Sequence, residues 1–163
     1  MYFDQMDLLR GMNRDFVKAF IDLTVRDSHR KGDFLFREGD EAQYFYILLK
    51  GSVKISIGQT GHTVYRVDRP GELFGWSSLV GRDLYSASAE CMEDSKLLKV
   101  ENVGLERIME EHSADGMVFY KRLAKTLGNR LLASYQMISG PWKTGVSESF
   151  GTGQVQESEA TRG

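Results

Sequence analysis

The sequence predicts a mainly β fold with flanking helices: an antiparallel sandwich, barrel or jelly roll set between N-terminal helices and a long C-terminal helix. Three observations carry this. Between Arg26 and Glu101 the apolar residues alternate with period two, in short runs. Those runs are separated by turn signals at near-regular spacing, which is the pattern of antiparallel all-β architectures. On both sides of this stretch the apolar period changes to three and four, the period of a helix. Four segments follow: a helical cap over 1–25, a β domain over 26–101, C-terminal helices over 102–138 and a tail over 139–163.

The elements follow in order. Leu8, Leu9, Met12, Phe16, Phe20 and Leu23 fall on one broad helical face, and Asn13 or Asp15 is placed to cap a second short helix within it. Asp33 to Arg37 reads as a short strand, and Glu38-Gly39-Asp40-Glu41 as a polar turn. Gln43 to Lys50 is a strand rich in aromatic residues and leucine, which Gly51 breaks. Ser52 to Ile57 and Thr63 to Val67 alternate across a Gly58–His62 hairpin loop. Pro70 to Ala89, PGELFGWSSLVGRDLYSASA, reads as strand end, glycine turn, one helical turn over Trp76 to Val80, a loop, and a new strand from Tyr85 to Met92. The free N–H groups at the start of such a turn, with small residues beside it, suit a phosphate cradle. Ser95 to Glu101 is the last strand. Asn102 is placed to cap Val103–Glu111, with Leu105, Ile108 and Met109 inward. Ser113 or Asp115 is placed to cap a longer helix reaching about Ile138.

That last helix carries two apolar stripes. Tyr120, Leu123, Leu127, Leu131, Ser134 and Tyr135 lie along a seam of coiled-coil spacing, while Phe119 and Leu132 lie off it and are expected to face the sheets. One small domain offers too little surface to cover both, so the expectation is a homodimer joined through this helix. From Ser139 the composition turns to Gly, Ser, Thr and Glu, with Trp142 and Phe150 as isolated apolar residues, and a disordered tail is expected.

Composition bounds the function. The formal net charge of −2 offers no bulk attraction to DNA or to an anionic membrane. The single cysteine, Cys91, cannot form an internal disulfide, which fits a reducing cytoplasm. The longest apolar run, Phe45 to Leu49, is far too short to span a bilayer, and the acidic N-terminus has no apolar signal region. No enzyme is expected. His29, His62 and His112 are scattered, no metal-ligand spacing occurs, and the Gly-Thr-Gly of the tail lacks the strand and helix of a phosphate loop.

A resemblance sharpens this reading. KGDFLFREGDEAQYFYILLKGSVKI and the Pro70–Gly75 run PGELFG stand in the order found in cyclic nucleotide-binding domains, with glycines at 32, 39, 51, 71 and 75. The chain resembles that family over residues 8 to 138: the sensor half of the catabolite activator and anaerobic-regulator group, and the cassettes of cyclic-nucleotide-dependent kinases and channels. The resemblance implies an eight-stranded antiparallel jelly roll (a double-stranded β-helix) and a noncatalytic regulatory module. It also implies a glutamate directly after Phe-Gly for the ribose hydroxyl and an arginine about nine residues later, before Ser or Thr and Ala, for the cyclic phosphate. Here the first position is Trp76, and the second falls on Leu84 or Tyr85, just before Ser86-Ala87. A hydrogen bond between charged partners contributes ~1.5–3 kcal/mol. Losing a bidentate Arg–phosphate pair therefore costs ~3 kcal/mol or more, about a hundredfold in affinity.

The candidate ligand-binding residues are Glu72, Phe74, Gly75, Trp76, Ser77, Ser78, Arg82, Leu84, Tyr85 and Ser86. Arg82 is the candidate replacement for the missing arginine, or else a solvated loop residue pairing with Asp83. Trp76 is a stacking platform or a plug; Ser77 and Ser78 face an anion or cap the turn; Glu72 reaches a ligand or serves its own turn. The residues after Ile138 are too few, and of the wrong charge, for the helix-turn-helix domain of the bacterial regulators. The expected function is a small-molecule sensor or regulatory module with weak or altered binding of a cyclic nucleotide or another small anion. The competing expectation is a ligand-free interaction or scaffold protein with a closed pocket, using the dimer helix on a protein partner. No cofactor, metal or membrane is expected.

Overall fold

The computed structural model describes residues 6–139 and, beyond them, the backbone of 147–150 and 154–157. Contacts divide the chain into two units, 1–123 and 124–163.

In the first unit, residues 7–11 wind as turns and lead into α1 (Arg14–Leu23). Asn13 is its cap, accepting the Asp15 N–H at 2.8 Å, as its side-chain chemistry favours. Eight strands follow: β1 (Val25–His29), β2 (Phe34–Phe36), β3 (Tyr44–Lys50), β4 (Val53–Ile57), β5 (His62–Val67), β6 (Leu73–Phe74), β7 (Ser88–Cys91) and β8 (Ser95–Glu101). They form two four-stranded sheets in the orders β1-β8-β3-β6 and β2-β7-β4-β5, and every pairing is antiparallel. This is the expected jelly roll.

β3 explains the layering. Its Tyr46 and Leu48 join Phe36, Val53, Val67, Phe74, Tyr85, Ala89, Cys91 and Leu97 in one buried cluster drawn from both sheets. The intervening Phe45 packs the other way, its ring 6.3 Å from Phe20 of α1 and 6.3 Å from Phe119. A strand covered on both faces needs an unbroken apolar run rather than alternation, and Phe45 to Leu48 is such a run. Burial, with the nearby carboxylates of Asp33, Glu90 and Asp27, pushes the Cys91 thiol above its ordinary range, as suits a packed small residue.

α2 (Asn102–Glu111) buries Leu105, Ile108 and Met109. Asn102 is not its cap: it is the first helical residue, its N–H goes to the Gln43 carbonyl at 2.9 Å, and its side chain donates to Glu106. α3 (Ser113–Ser139) begins in the first unit and buries Gly116, Phe119 and Leu123 there. Leu123, expected on the dimer seam, is 2% exposed and belongs to this core.

In the second unit, Leu131, Leu132, Tyr135 and Ile138 of α3 are exposed. Leu132, expected to face the sheets, is 59% exposed. The tail contains a two-stranded antiparallel hairpin where no regular structure was expected, β9 (Ser147–Phe150) with β10 (Gln154–Glu157). Short period-two segments on either side of Gly-Thr-Gly carry a hairpin signal that composition alone outweighed. A strand does therefore precede that Gly-Thr-Gly. Trp142 and the remainder of the tail lie outside the described residues. No helix among the described residues is long and apolar enough to cross a membrane.

Candidate functional site

The cassette begins where β6 pairs with β3, Tyr46 opposite Phe74 and Ile47 opposite Leu73. Gly75 then takes a left-handed conformation, φ +75°. A Cβ here would also lie 3.2 Å from the Phe36 ring and 3.3 Å from the Tyr46 ring, so both the backbone and the packing demand glycine. Trp76–Val80 form the expected single turn, of 3-10 type, and Gly81, left-handed at φ +73°, closes it by donating its N–H to the Ser77 carbonyl.

The second half of the cassette is tied to the β2–β3 loop. Ala42 N–H donates to the Asp83 carbonyl at 2.8 Å, Tyr85 N–H to Asp40 at 2.9 Å, and Gly39 N–H to Tyr85 at 3.0 Å. These bonds take Tyr85 out of the sheet ladder, which is why β7 starts at Ser88 rather than Tyr85. They also decide which of two neighbours faces in: Tyr85 is 5% exposed and Leu84 50%.

Tyr85 lies flat on Phe36, ring centroids 3.8 Å apart and planes within 12°. Tyr46 stacks on Phe74 at 5.4 Å and neighbours Phe36 at 5.8 Å, completing an aromatic column. The Tyr85 hydroxyl donates to the Tyr44 carbonyl and accepts the Tyr44 N–H at 3.3 Å, so both polar groups of one β3 peptide edge are satisfied by this phenol. Burial pushes the Tyr85 hydroxyl up to about 12 and raises that of Tyr46 as well.

The other predicted residues fall into three places. Ser77, Ser78 and Phe74 are buried. Ser77 Oγ is 3.4 Å from Ser86 Oγ and accepts the Ser86 N–H at 3.4 Å, both long contacts, while Ser78 Oγ is buried with no hydrogen-bond partner among the described residues. Trp76 is half-buried beside this group. Arg82 is exposed, and its guanidinium makes no ion pair among the described residues, with Asp83 or any other. Glu72 is turned away onto its own turn: it accepts from the Tyr65 hydroxyl at 3.0 Å and from the N–H groups of Asp68 and Arg69 at 3.1 and 3.2 Å, and pairs with the Arg69 guanidinium at 3.3 Å. The cassette thus gathers Gly75, Trp76, Ser77, Ser78 and Ser86 around one turn, and leaves Glu72 and Leu84 outside it. The inward seat of Tyr85 had no decisive signal, because Leu84 and Tyr85 are both apolar enough to fill it.

Comparison with known proteins fixes the family. The sequence model of the cyclic nucleotide-binding domain matches residues 26–112, more than half of the chain. The chain belongs to the cyclic nucleotide-binding domain family. Within it, the chain is 34% identical over 86 residues to human cGMP-dependent protein kinase 2, a match covering 51% of this chain and 11% of the kinase. The chain therefore spans about a tenth of that relative's length. The catabolite activator protein of Thermus thermophilus superposes with a TM-score of 0.66 at 26% identity, over 81% of this chain and 62% of that one. A cyclic nucleotide-binding domain from Methylobacillus flagellatus KT superposes with a TM-score of 0.74 over 91% of this chain and 83% of that one; at 20% identity this likeness bears on the fold alone.

Proposed function

We propose that this protein is a noncatalytic sensor or regulatory module, cytoplasmic and paired through α3, whose cassette binds its ligand weakly or in an altered way. The observation that carries the reading is the split within the cassette. The left-handed Gly75, the Trp76–Val80 turn and the Ser77–Ser86 hydroxyls keep the form of an anion cradle, while of Leu84 and Tyr85, the two positions at which the resemblance calls for arginine, neither is a cation and Tyr85 is packed inward. The ligand class is a cyclic nucleotide or another small anion, held by the turn, the hydroxyls and the unpaired Arg82 guanidinium. On α3, Met117, Tyr120, Leu131 and Tyr135 support pairing: they are exposed, and steps of three and four within each pair, with eleven residues or about three turns between the pairs, keep them on one stripe. A groove of about 640 Å³ lined by Met109, Gly116, Met117 and Tyr120 runs along the start of that stripe. Two copies would bury it, giving a signal from the cassette a helix on which to act.

The second reading, a ligand-free interaction protein, is favoured by one observation: Tyr85 already fills the inner wall and satisfies Tyr44. A thermal-shift series with cyclic AMP, cyclic GMP, linear nucleotides and small anions at millimolar concentration separates the two. A ligand at a hundred times its dissociation constant stabilises by ~2.7 kcal/mol, a shift of a few degrees. The sensor reading expects one compound to raise the wild-type melting temperature and Arg82→Ala to abolish the rise. No shift with any compound removes it in favour of the closed pocket.

A further inference from the structure

The first half of α3 does more than cover the sheets. Asp115 and Arg122 are seven residues apart, two helical turns, and so share one face of the helix, with the buried Phe119 between them. Both reach the N-terminal segment. Arg122 Nη1 donates to the carbonyls of Asp7 and Leu8, each at 2.9 Å, and Nη2 to that of Arg10 at 2.6 Å. Asp115 Oδ1 accepts the N–H of Asn13 at 3.1 Å.

The chemistry of the two ends is matched. Residues 6–12 wind as turns, Leu9 N–H bonding to Met6 and Met12 N–H to Leu9, and Gly11 at φ +75° breaks them off. A turn that stops there leaves carbonyls without partners, and a guanidinium with several forked donors is the side chain suited to collect three of them. At Asn13 the next helix begins, where N–H groups and the positive end of the dipole face outward, and a carboxylate belongs there. One face of α3 thus presents a cation to the carbonyl end of one turn and an anion to the amide end of the next helix.

We infer that Asp115 and Arg122 form a two-ended clamp that makes the N-terminal turn and the start of α3 one mechanical unit, so that the turn is a control point on α3 separate from the cassette. Displacing residues 6–13 takes three acceptors from Arg122 and a donor from Asp115 at once, leaving the helix held on this face by Phe119 and Leu123. By the same linkage, a shift of α3 is transmitted to the turn. The inference stands whether the cassette is ligand-gated or closed.

Hydrogen exchange on the full chain tests it in both directions. Arg122→Gln is expected to speed exchange of the Leu9 and Met12 amides at least tenfold with β3 and β8 amides unchanged, and Arg122→Lys, which lacks the fork, to restore only part of the protection. Gly11→Ala perturbs the turn from the other side: its Cβ would meet nothing within 4 Å, so its effect comes through the left-handed backbone alone. It is expected to speed exchange over 116–123 in the wild-type background and to add nothing in the Arg122→Gln background. Unchanged exchange at Leu9 and Met12, a loss of protection spread equally over β3 and β8, or a Gly11→Ala effect on α3 of the same size in both backgrounds each overturns the clamp.

Discussion

The two halves of the cassette are held in place in different ways. Leu73 to Gly81 is a backbone feature, a two-residue strand and a 3-10 turn bracketed by left-handed glycines, whereas in Leu84 to Ser88 one side chain, Tyr85, turns into the core. The difference lies in what each is held by. Gly75 is fixed from behind by Phe36 and Tyr46, residues of the sandwich core, so its glycine is needed whether or not anything binds in front. Tyr85 is constrained through its side chain instead, which satisfies the Tyr44 peptide edge and covers Phe36. A glycine signature of this kind therefore reports the fold and by itself says nothing of a ligand.

Four substitutions probe this comparison. Tyr85→Ala should cost most, about 3–5 kcal/mol, because it empties an aromatic site in the buried cluster. Urea unfolding measures it, and a loss below about 1 kcal/mol would mean that Tyr85 is no part of the core. Gly75→Ala should follow at about 2–3 kcal/mol, combining the left-handed backbone with overpacking against two rings. A cost this large with no ligand present is what the packing account requires. A near-neutral result would return Gly75 to the ligand side.

Tyr85→Phe is the finer cut, at about 1–2 kcal/mol, since the ring stays and only the Tyr44 carbonyl and N–H lose their partner. It also carries a pH signature. The folded hydroxyl is raised from its ordinary value of 10.0 to about 12, so the unfolded chain releases this proton first. The stabilisation is fully present below pH 10 and is lost as pH rises towards 12. Tyr85→Phe should therefore flatten part of the alkaline decline in stability. Tyr46, Cys91 and Tyr120, raised in the same direction, contribute to what remains.

How much of this was legible in the sequence follows the same division. The jelly roll could be read because periodicity and turn glycines are repeated over many strands, so an error in one is outvoted by the rest. The short turn at Trp76–Val80 could be read because glycines bracket it. The seat of Tyr85 could not: a one-residue slip exchanges inward and outward faces, and Leu84 and Tyr85 are both plausible inward residues. Leu123 was placed on the wrong face of α3 for a related reason, since spacings of three and four allow two neighbouring stripes and only packing chooses between them. The Arg122 contacts were invisible because their acceptors are backbone carbonyls, which every residue carries.

Arg82→Ala should have the smallest effect on stability, within about 0.5 kcal/mol, as expected of an exposed side chain without a partner among the described residues. That neutrality is what makes it informative. Tyr85 and Gly75 belong to the core, so a change in ligand response on altering them mixes binding with folding. Arg82 sits at the junction of the two halves, its backbone N–H held by the Ser77 carbonyl at 3.1 Å and its guanidinium without an ion pair among the described residues. If the variant unfolds like wild type yet loses a ligand-dependent shift, the loss belongs to the guanidinium, and Arg82 supplies the cation that the cassette otherwise lacks. If the variant is itself destabilised by more than 1 kcal/mol, Arg82 is holding the loop, and the cassette then contains no free cation to offer an anion.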